Sequence, residues 1–345
     1  MFRSLRKIGA GICLAFVTLL AWLSPRLCRS GDIYVADFLD VPVDAHSVAL
    51  GVNGVASGEG PSSVFASPAN VIFGARPEIQ LTYGGLYGGF GSGLAHQQGF
   101  FARIPLRGGA GFGVAIVRFA VDDIPRYGEL GSASFLERLE GAANLPGTGT
   151  LGYFSDDEVA VVGAFGRGFP VRIGLNWFVE KIDLFPYVGL DFKMLFQSLD
   201  VMSARGAGFD VGAGVKIDLR QFSETWWLGC LNVAWVGRDV GNTTLVWSNR
   251  VRQSRLYSWA WGFSYGMSLA RSFEATWYAQ LEGGRDLPGA VGVRLGYKSV
   301  RLTVGMRDRQ PGFALNFWFG HFGLSYGTSN AALGETQRID VTWSF

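Results

Sequence analysis

The stretch Asp44–Phe73, DAHSVALGVNGVASGEGPSSVFASPANVIF, is the part of this chain that does not read as β-strand, whereas almost everything after it does. It gathers glycines, small residues and one Pro-Ala step ahead of a long series of alternating segments. A plain connector could have this composition. The spacing of Ala45, Val48, Leu50, Val52, Val55 and Ala56 argues instead for a compact piece that packs against something. If the segments C-terminal to it close into a β-barrel, a piece of this kind is a plug inside that barrel.

Beyond the plug, alternation begins near Glu78, with Ile79, Leu81 and Tyr83 on one side and Gln80 and Thr82 on the other. Period two over such a length is a strand with one apolar face. The same pattern recurs at 98–104, 112–119, 159–165, 171–179, 188–196, 209–217, 231–235, 257–267, 273–281, 291–297, 302–306, 313–319, 322–326 and 339–345. With a further candidate at 243–248, the sequence predicts an all-β, transmembrane antiparallel barrel of about 14 (14–16) strands with an N-terminal hatch in the lumen. Tight links are expected at Gly166–Phe169, Lys298–Val300 and Gly320–His321, and longer loops at Gly283–Gly289, Arg307–Gly312 and Thr328–Glu335. In bacterial barrels short turns lie on the periplasmic side and long loops outside.

Composition agrees with a membrane barrel. The 345 residues include 50 glycines, 11 tryptophans, 11 tyrosines and 27 phenylalanines; glycine alone is about twice its usual ~7%. Aromatic residues form girdles at the rims of such barrels. Ahead of the plug, Arg3, Arg6 and Lys7, an apolar run from Ile8 to Leu23 and a break at Pro25 read as a secretory signal peptide. Cleavage after Ser30 gives a signal at 1–30, a hatch at 31–77 and a barrel at 78–345. A lipoprotein acylated at Cys28 is the alternative, disfavoured by the bulk of Arg26 and Leu27.

Several chemistries find no footing. After cleavage at that site only Cys230 remains, so neither an internal disulfide nor a cysteine metal site is expected. His46, His96 and His321 are far apart and show no ligand spacing. Asp122–Asp123 and Asp156–Asp157–Glu158 could hold a cation at a loop base, although solvated loop charges are the commoner meaning of such runs. Gly147–Gly152 matches G-x-G-x-x-G but lacks the strand before and helix after that a dinucleotide site needs. No nucleophile–base arrangement points to an enzyme. A net charge of +2 gives no electrostatic case for nucleic acid. No cofactor or metal is expected.

The hatch carries a resemblance. Ala49-Leu50-Gly51-Val52-Asn53-Gly54, then Val55-Ala56, then Ser67-Pro68-Ala69-Asn70 resemble the N-terminal hatch of the FadL-type outer-membrane transporters, and of the related PorV and PorQ proteins, which ends in Asn-Pro-Ala. The match covers about thirty residues, and the barrel pattern extends the likeness over the mature chain. Ser67 stands where the family has asparagine, while Pro68 and Ala69 keep the backbone restriction. The resemblance implies uptake of long-chain fatty acids or other hydrophobic molecules, with Ser67, Pro68, Ala69 and Asn70 gating and exit through a lateral opening in the wall. The alternative within the same resemblance is a non-transporting barrel that serves other proteins, as PorV does. An apolar lumen favours transport; a filled or polar lumen favours the accessory role.

Two further segments bear on function. In the long interruption 122–157, SFLERLEGAA places Phe135, Leu136 and Leu139 on one helical face, which is either a loop helix capping the mouth or a first landing patch for an apolar ligand. At the end of the chain Ile339, Val341, Trp343 and Phe345 alternate with polar residues and finish on an aromatic. This resembles the C-terminal motif read by the barrel-assembly machinery. The expected partners are therefore hydrophobic small molecules, outer-membrane lipid and that machinery, and the protein is expected to act as a monomer.

Overall fold

A computed structural model describes residues 35–127, 150–175, 179–222, 228–270, 272–284, 289–331 and 334–345. One sheet of seventeen hydrogen-bonded segments closes on itself, because Glu78–Leu86 pairs with both its sequence neighbour and the last strand. Three of the strands are each interrupted once, so the barrel has 14 antiparallel strands. They are β1 (Glu78–Leu86), β2 (Ala95–Leu106), β3 (Ala110–Tyr127), β4 (Thr150–Gly168, continued by Val171–Leu175), β5 (Val179–Leu199), β6 (Met202–Asp218), β7 (Cys230–Arg238, continued by Thr243–Trp247) and β8 (Arg252–Arg255, continued by Ser258–Ala270). The rest are β9 (Phe273–Gly283), β10 (Ala290–Tyr297), β11 (Val300–Arg307), β12 (Gln310–Phe319), β13 (Phe322–Ala331) and β14 (Gly334–Ser344).

The alternation read from the sequence becomes two faces. Val188, Leu190, Phe192, Met194 and Phe196 of β5 point outward and are exposed, while Tyr187, Asp191, Lys193 and Leu195 point inward and are buried. On β4 the outward face runs from Arg167, which stacks on Phe169 at one rim, to Asp157, paired with Arg118 at the other. Phe165, Gly163, Val161 and Val159 lie between them. About ten residue steps at roughly 3.3 Å each, tilted by about 40°, give an apolar band roughly 25 Å tall, the height that a bilayer requires.

Some expected links are corrected by the structure. Gly166–Phe169 is not a turn: Gly168 pairs with Tyr187 and Val171 with Leu184 in one unbroken register, and Phe169 N–H donates to Pro186 O at 2.8 Å. Pro170 lacks an N–H and so interrupts the strand without turning it. The segments expected at 159–165 and 171–179 are thus mostly one strand, β4. Nor are Arg307–Gly312 and Thr328–Glu335 long loops. β11 and β12 are joined by Asp308 and Arg309 alone, both at positive φ (45° and 64°), the geometry of a two-residue hairpin turn. β13 likewise runs to Ala331 and β14 starts at Gly334. The tight turns at 298–299 and 320–321 and the longer link at 284–289 are as expected.

Residues 35–77 fill the lumen. Asp44 caps helix α1 (Ala45–Leu50), its carboxylate accepting Ser47 N–H at 2.6 Å, and Gly51 ends the helix at φ 75°. Helix α2 (Ser63–Ala66) follows, then a 3-10 turn, Pro68–Phe73, with Pro68 in its first turn. Ala45, Val48, Ala49, Leu50, Val52, Val55 and Ala56 are all buried.

Candidate functional site

The site is the contact between hatch and wall. Glycines on the inner face of the barrel admit the hatch backbone itself. A Cβ on Gly305 would collide with Ala49 O, one on Gly189 with Ala69 N and one on Gly111 with Val71 O. At Gly262 it would lie 2.7 Å from Ala56 N, and at Gly312 2.8 Å from Ala49 O. Residues 45–73 are therefore seated at backbone distance on β3, β5, β8, β11 and β12. Two gaps between hatch and wall are small. One of about 20 Å³ touches Asn53, Phe65, Asp191 and Arg255, and one of about 10 Å³ touches Leu50, Val52 and Tyr278. Each has room for about one water.

The hatch residues singled out in the sequence behave differently from one another. Ser67 is buried and its hydroxyl has no hydrogen-bond partner; it lies against Gly212 of the wall. Ser67 is extended (φ −159°), as a residue before proline prefers. Asn70 turns inward to the hatch itself, donating to Val55 O at 3.1 Å and Ser63 O at 3.3 Å. Ala69 packs with Val55, Ala56 and Tyr187. The motif thus organises the hatch, and the bonds from hatch to wall are made elsewhere. Phe135, Leu136 and Leu139, like the signal segment 1–30, lie outside the described residues. Of the acidic runs, Asp157 is held by Arg118 through both Nε and Nη2. Among the described residues, no group of three or more His, Cys, Asp and Glu side chains is arranged to hold a metal ion.

The bonds from hatch to wall come from inward charged and amide side chains. Arg255 on β8 donates to Val35 O at 2.9 Å and Ala36 O at 2.6 Å. It also pairs with Asp40 at 2.8 Å and with Asp239 of the wall at 3.0 Å. Lys193 joins Asp239 to Asp210 at 2.7 and 2.6 Å. Farther round, Arg307 donates to Gly51 O at 2.7 Å and Asn232 to Ala56 O at 3.0 Å. Arg103 donates to Gly58 O at 3.0 Å, and Gln280 accepts from Val55 N–H at 2.9 Å. These residues escaped the sequence reading. For Asp191 and Lys193 the signal was a charge alternating with the outward Leu190, Phe192 and Met194.

The Val35–Asp40 strap differs from the rest of the hatch. Val35, Ala36 and Phe38 occupy an apolar chamber whose buried wall residues are Ala160, Leu195, Ala204 and Leu245, with Phe119 and Trp247 packed against it. It lies in the half of the barrel away from the end where β1 starts and β14 finishes. Beside it the β7 strand breaks at 239–242 and β8 at 256–257.

His46, on α1, faces the wall. Its Nδ1 lies 3.1 Å from Thr303 Oγ1, its ring meets Tyr278 edge-on at 5.1 Å, and Nε2 is closed off from solvent with no partner. Burial lowers its pKa to about 4; Arg294 and Arg301 add to the shift and Asp44 opposes it.

A closed 14-strand barrel with an apolar outer band and an internal hatch defines an outer-membrane β-barrel protein. No family model matches the sequence, and no curated protein matches it. Among solved structures, the P. putida toluene transporter TodX superposes with a TM-score of 0.53 at 8% identity, covering 89% of this chain and 99% of TodX. A Pseudomonas aeruginosa FadL homologue gives 0.46 at 10% identity, covering 89% of this chain and 99% of its own, and the KdgM porin 0.32 at 7%, covering 78% and 99%. The chain shares its fold with the toluene transporter TodX.

Proposed function

We propose that this barrel is a hatch-gated channel for hydrophobic small molecules, long-chain fatty acids or hydrocarbons, across the outer membrane. The observation that carries the reading is the apolar chamber filled by the hatch's own Val35, Ala36 and Phe38. An apolar solute gains about 25 cal/mol per Å² on leaving water, so it suits a dry chamber better than a water-filled pore. In the closed state the strap occupies that chamber and Arg255 holds the strap. Release of Arg255 frees the strap, and the breaks in β7 and β8 beside it are where a solute leaves sideways into the bilayer. The fold shared with TodX supports the same reading.

The test is binding and uptake of a fluorescent long-chain fatty acid, and of toluene, by wild type and Arg255→Gln in proteoliposomes. Wild type takes up at least one of them, and the variant does so several-fold faster at unchanged barrel content. If neither protein binds either solute, the channel reading fails.

One observation favours a second reading, a non-transporting barrel that serves other outer-membrane proteins. The lumen is filled and also holds buried charges, with Arg103, Asp191, Lys193, Asp239, Arg255, Arg338 and Asp340 among them. Specific co-purification of a partner protein with a barrel that binds neither solute would establish that role.

A further inference from the structure

Thirteen of the strand pairs in this barrel join sequence neighbours, so the link between them constrains the register. The fourteenth has no link. β1 and β14 come from opposite ends of the sheet, and their register runs from Glu78↔Ser344 through Gln80↔Thr342 and Thr82↔Asp340 to Gly84↔Arg338. A slip of one residue would turn Arg338 and Asp340 to the lipid and Ile339 and Val341 to the lumen, and alternation forbids it. A slip of two residues keeps every side chain on its proper face. Alternation therefore leaves the closing register undecided.

The hatch bonds to this seam rung by rung. Gln80 of β1 accepts Ser62 N–H at 3.2 Å. Asp340 of β14 accepts Ala45 N–H, the first of helix α1, at 2.7 Å. Arg338, two residues before Asp340 on the same face, donates to Val43 O at 2.9 Å and bonds Gln97 of β2. Its guanidinium lies across Gly84, where a Cβ would be 2.9 Å from Cζ. Within the hatch, Asp44 ties the two pieces that touch the two strands, capping α1 and accepting the Ser62 hydroxyl. Gln80, Thr82, Arg338, Asp340 and Thr342 are all at most 7% exposed, so a two-residue slip would leave amide, carboxylate and guanidinium groups without partners in a water-poor lumen. Each buried polar group so orphaned has lost its hydration without a compensating bond, and the charged ones lose most.

We propose that the hatch is the template that sets the closing register of the barrel: Ser62, Ala45 and Val43 align Gln80 of β1 with Asp340 and Arg338 of β14. The hatch precedes β1 in the chain, so it is available when β14 arrives. Its second task is then assembly, independent of whether anything passes through the lumen.

Cysteine pairs on the outer face of the seam read the register, in a Cys230→Ser background and with the full chain assembled in outer membranes. Tyr83→Cys with Ile339→Cys reports the native register, since these residues are opposed. Leu81→Cys with Ile339→Cys, and Tyr83→Cys with Val341→Cys, report the two shifts of two residues. Without other changes only the native pair cross-links. Adding Arg338→Gln and Asp340→Asn, which remove the two charges, lowers the native cross-link at least fivefold and either raises a shifted pair or leaves barrels that cross-link at neither. Arg255→Gln, which removes a hatch contact of the same chemistry on β8, leaves the native cross-link at its full yield. The proposal is overturned if the seam variant closes in the native register at full yield, or if Arg255→Gln disturbs the seam as much as the seam variant does.

Discussion

A missing methyl group is the smallest unit that decides this structure. Gly305 has no Cβ, and the carbonyl of Ala49 sits where one would be. Overpacking of this kind costs about 1–3 kcal/mol, so Gly305→Val is expected to loosen the hatch. The measurement is hydrogen exchange of residues 45–50, which should quicken at least tenfold. Gly163→Val is the control, because its Cβ meets nothing within 4 Å, and it should leave exchange unchanged. His46 gives a second prediction at the same scale. Its folded pKa, about 4, lies below the ordinary 6.5, so the unfolded hatch binds more protons between those values, and stability is lost as pH falls from about 6.5 towards 4. The loss is bounded at about 1.4 kcal/mol per pH unit. Thermal unfolding at pH 7.5 and 5 should show the decline, and His46→Asn should flatten it.

At the scale of the element, β14 combines two faces with different tasks. Ile339 and Trp343 are exposed outward and Phe345 ends the chain exposed, whereas Arg338, Asp340 and Thr342 are buried inward. If the outward aromatics form the assembly signal, Phe345→Ser reduces the amount of barrel in the outer membrane several-fold, and Thr342→Ser changes it little. Equal yields from the two variants would remove that role from Phe345. The turns belong to this scale as well. Asp308 and Arg309 both adopt positive φ without glycine, which is uncommon, so their hairpin was read as a longer loop. At Pro170, beside the tight link expected at Gly166–Phe169, the lost N–H costs one rung, and the ladder on either side carries β4 through it.

For the whole molecule, closure of the lumen is the property to measure. The described hatch meets the wall at backbone distance on β3, β5, β8, β11, β12 and β13, and two gaps between them are water-sized. Wild type reconstituted in planar bilayers is therefore expected to show no steady ion-conducting step, while Arg255→Gln, with the strap released, should show brief openings. A stable open-pore conductance in the wild type would show that the hatch does not seal the barrel.

Sequence alone determined the class of fold, because a lipid-facing surface and a packed lumen impose period two on every strand. That rule placed Ile79, Leu81 and Tyr83 outward and Thr342 inward, and it marked Asp44–Phe73 as the segment that could not be a strand. The rule is local and symmetric, so it could not decide between registers two residues apart. Nor could it say which glycine faces which carbonyl, or that Arg255 would hold Val35 and Ala36 across the lumen. Those contacts join residues distant in sequence, as Arg255 with Val35 and Arg338 with Val43 show. They exist only once the barrel has closed around the hatch, so they were decided by the tertiary structure.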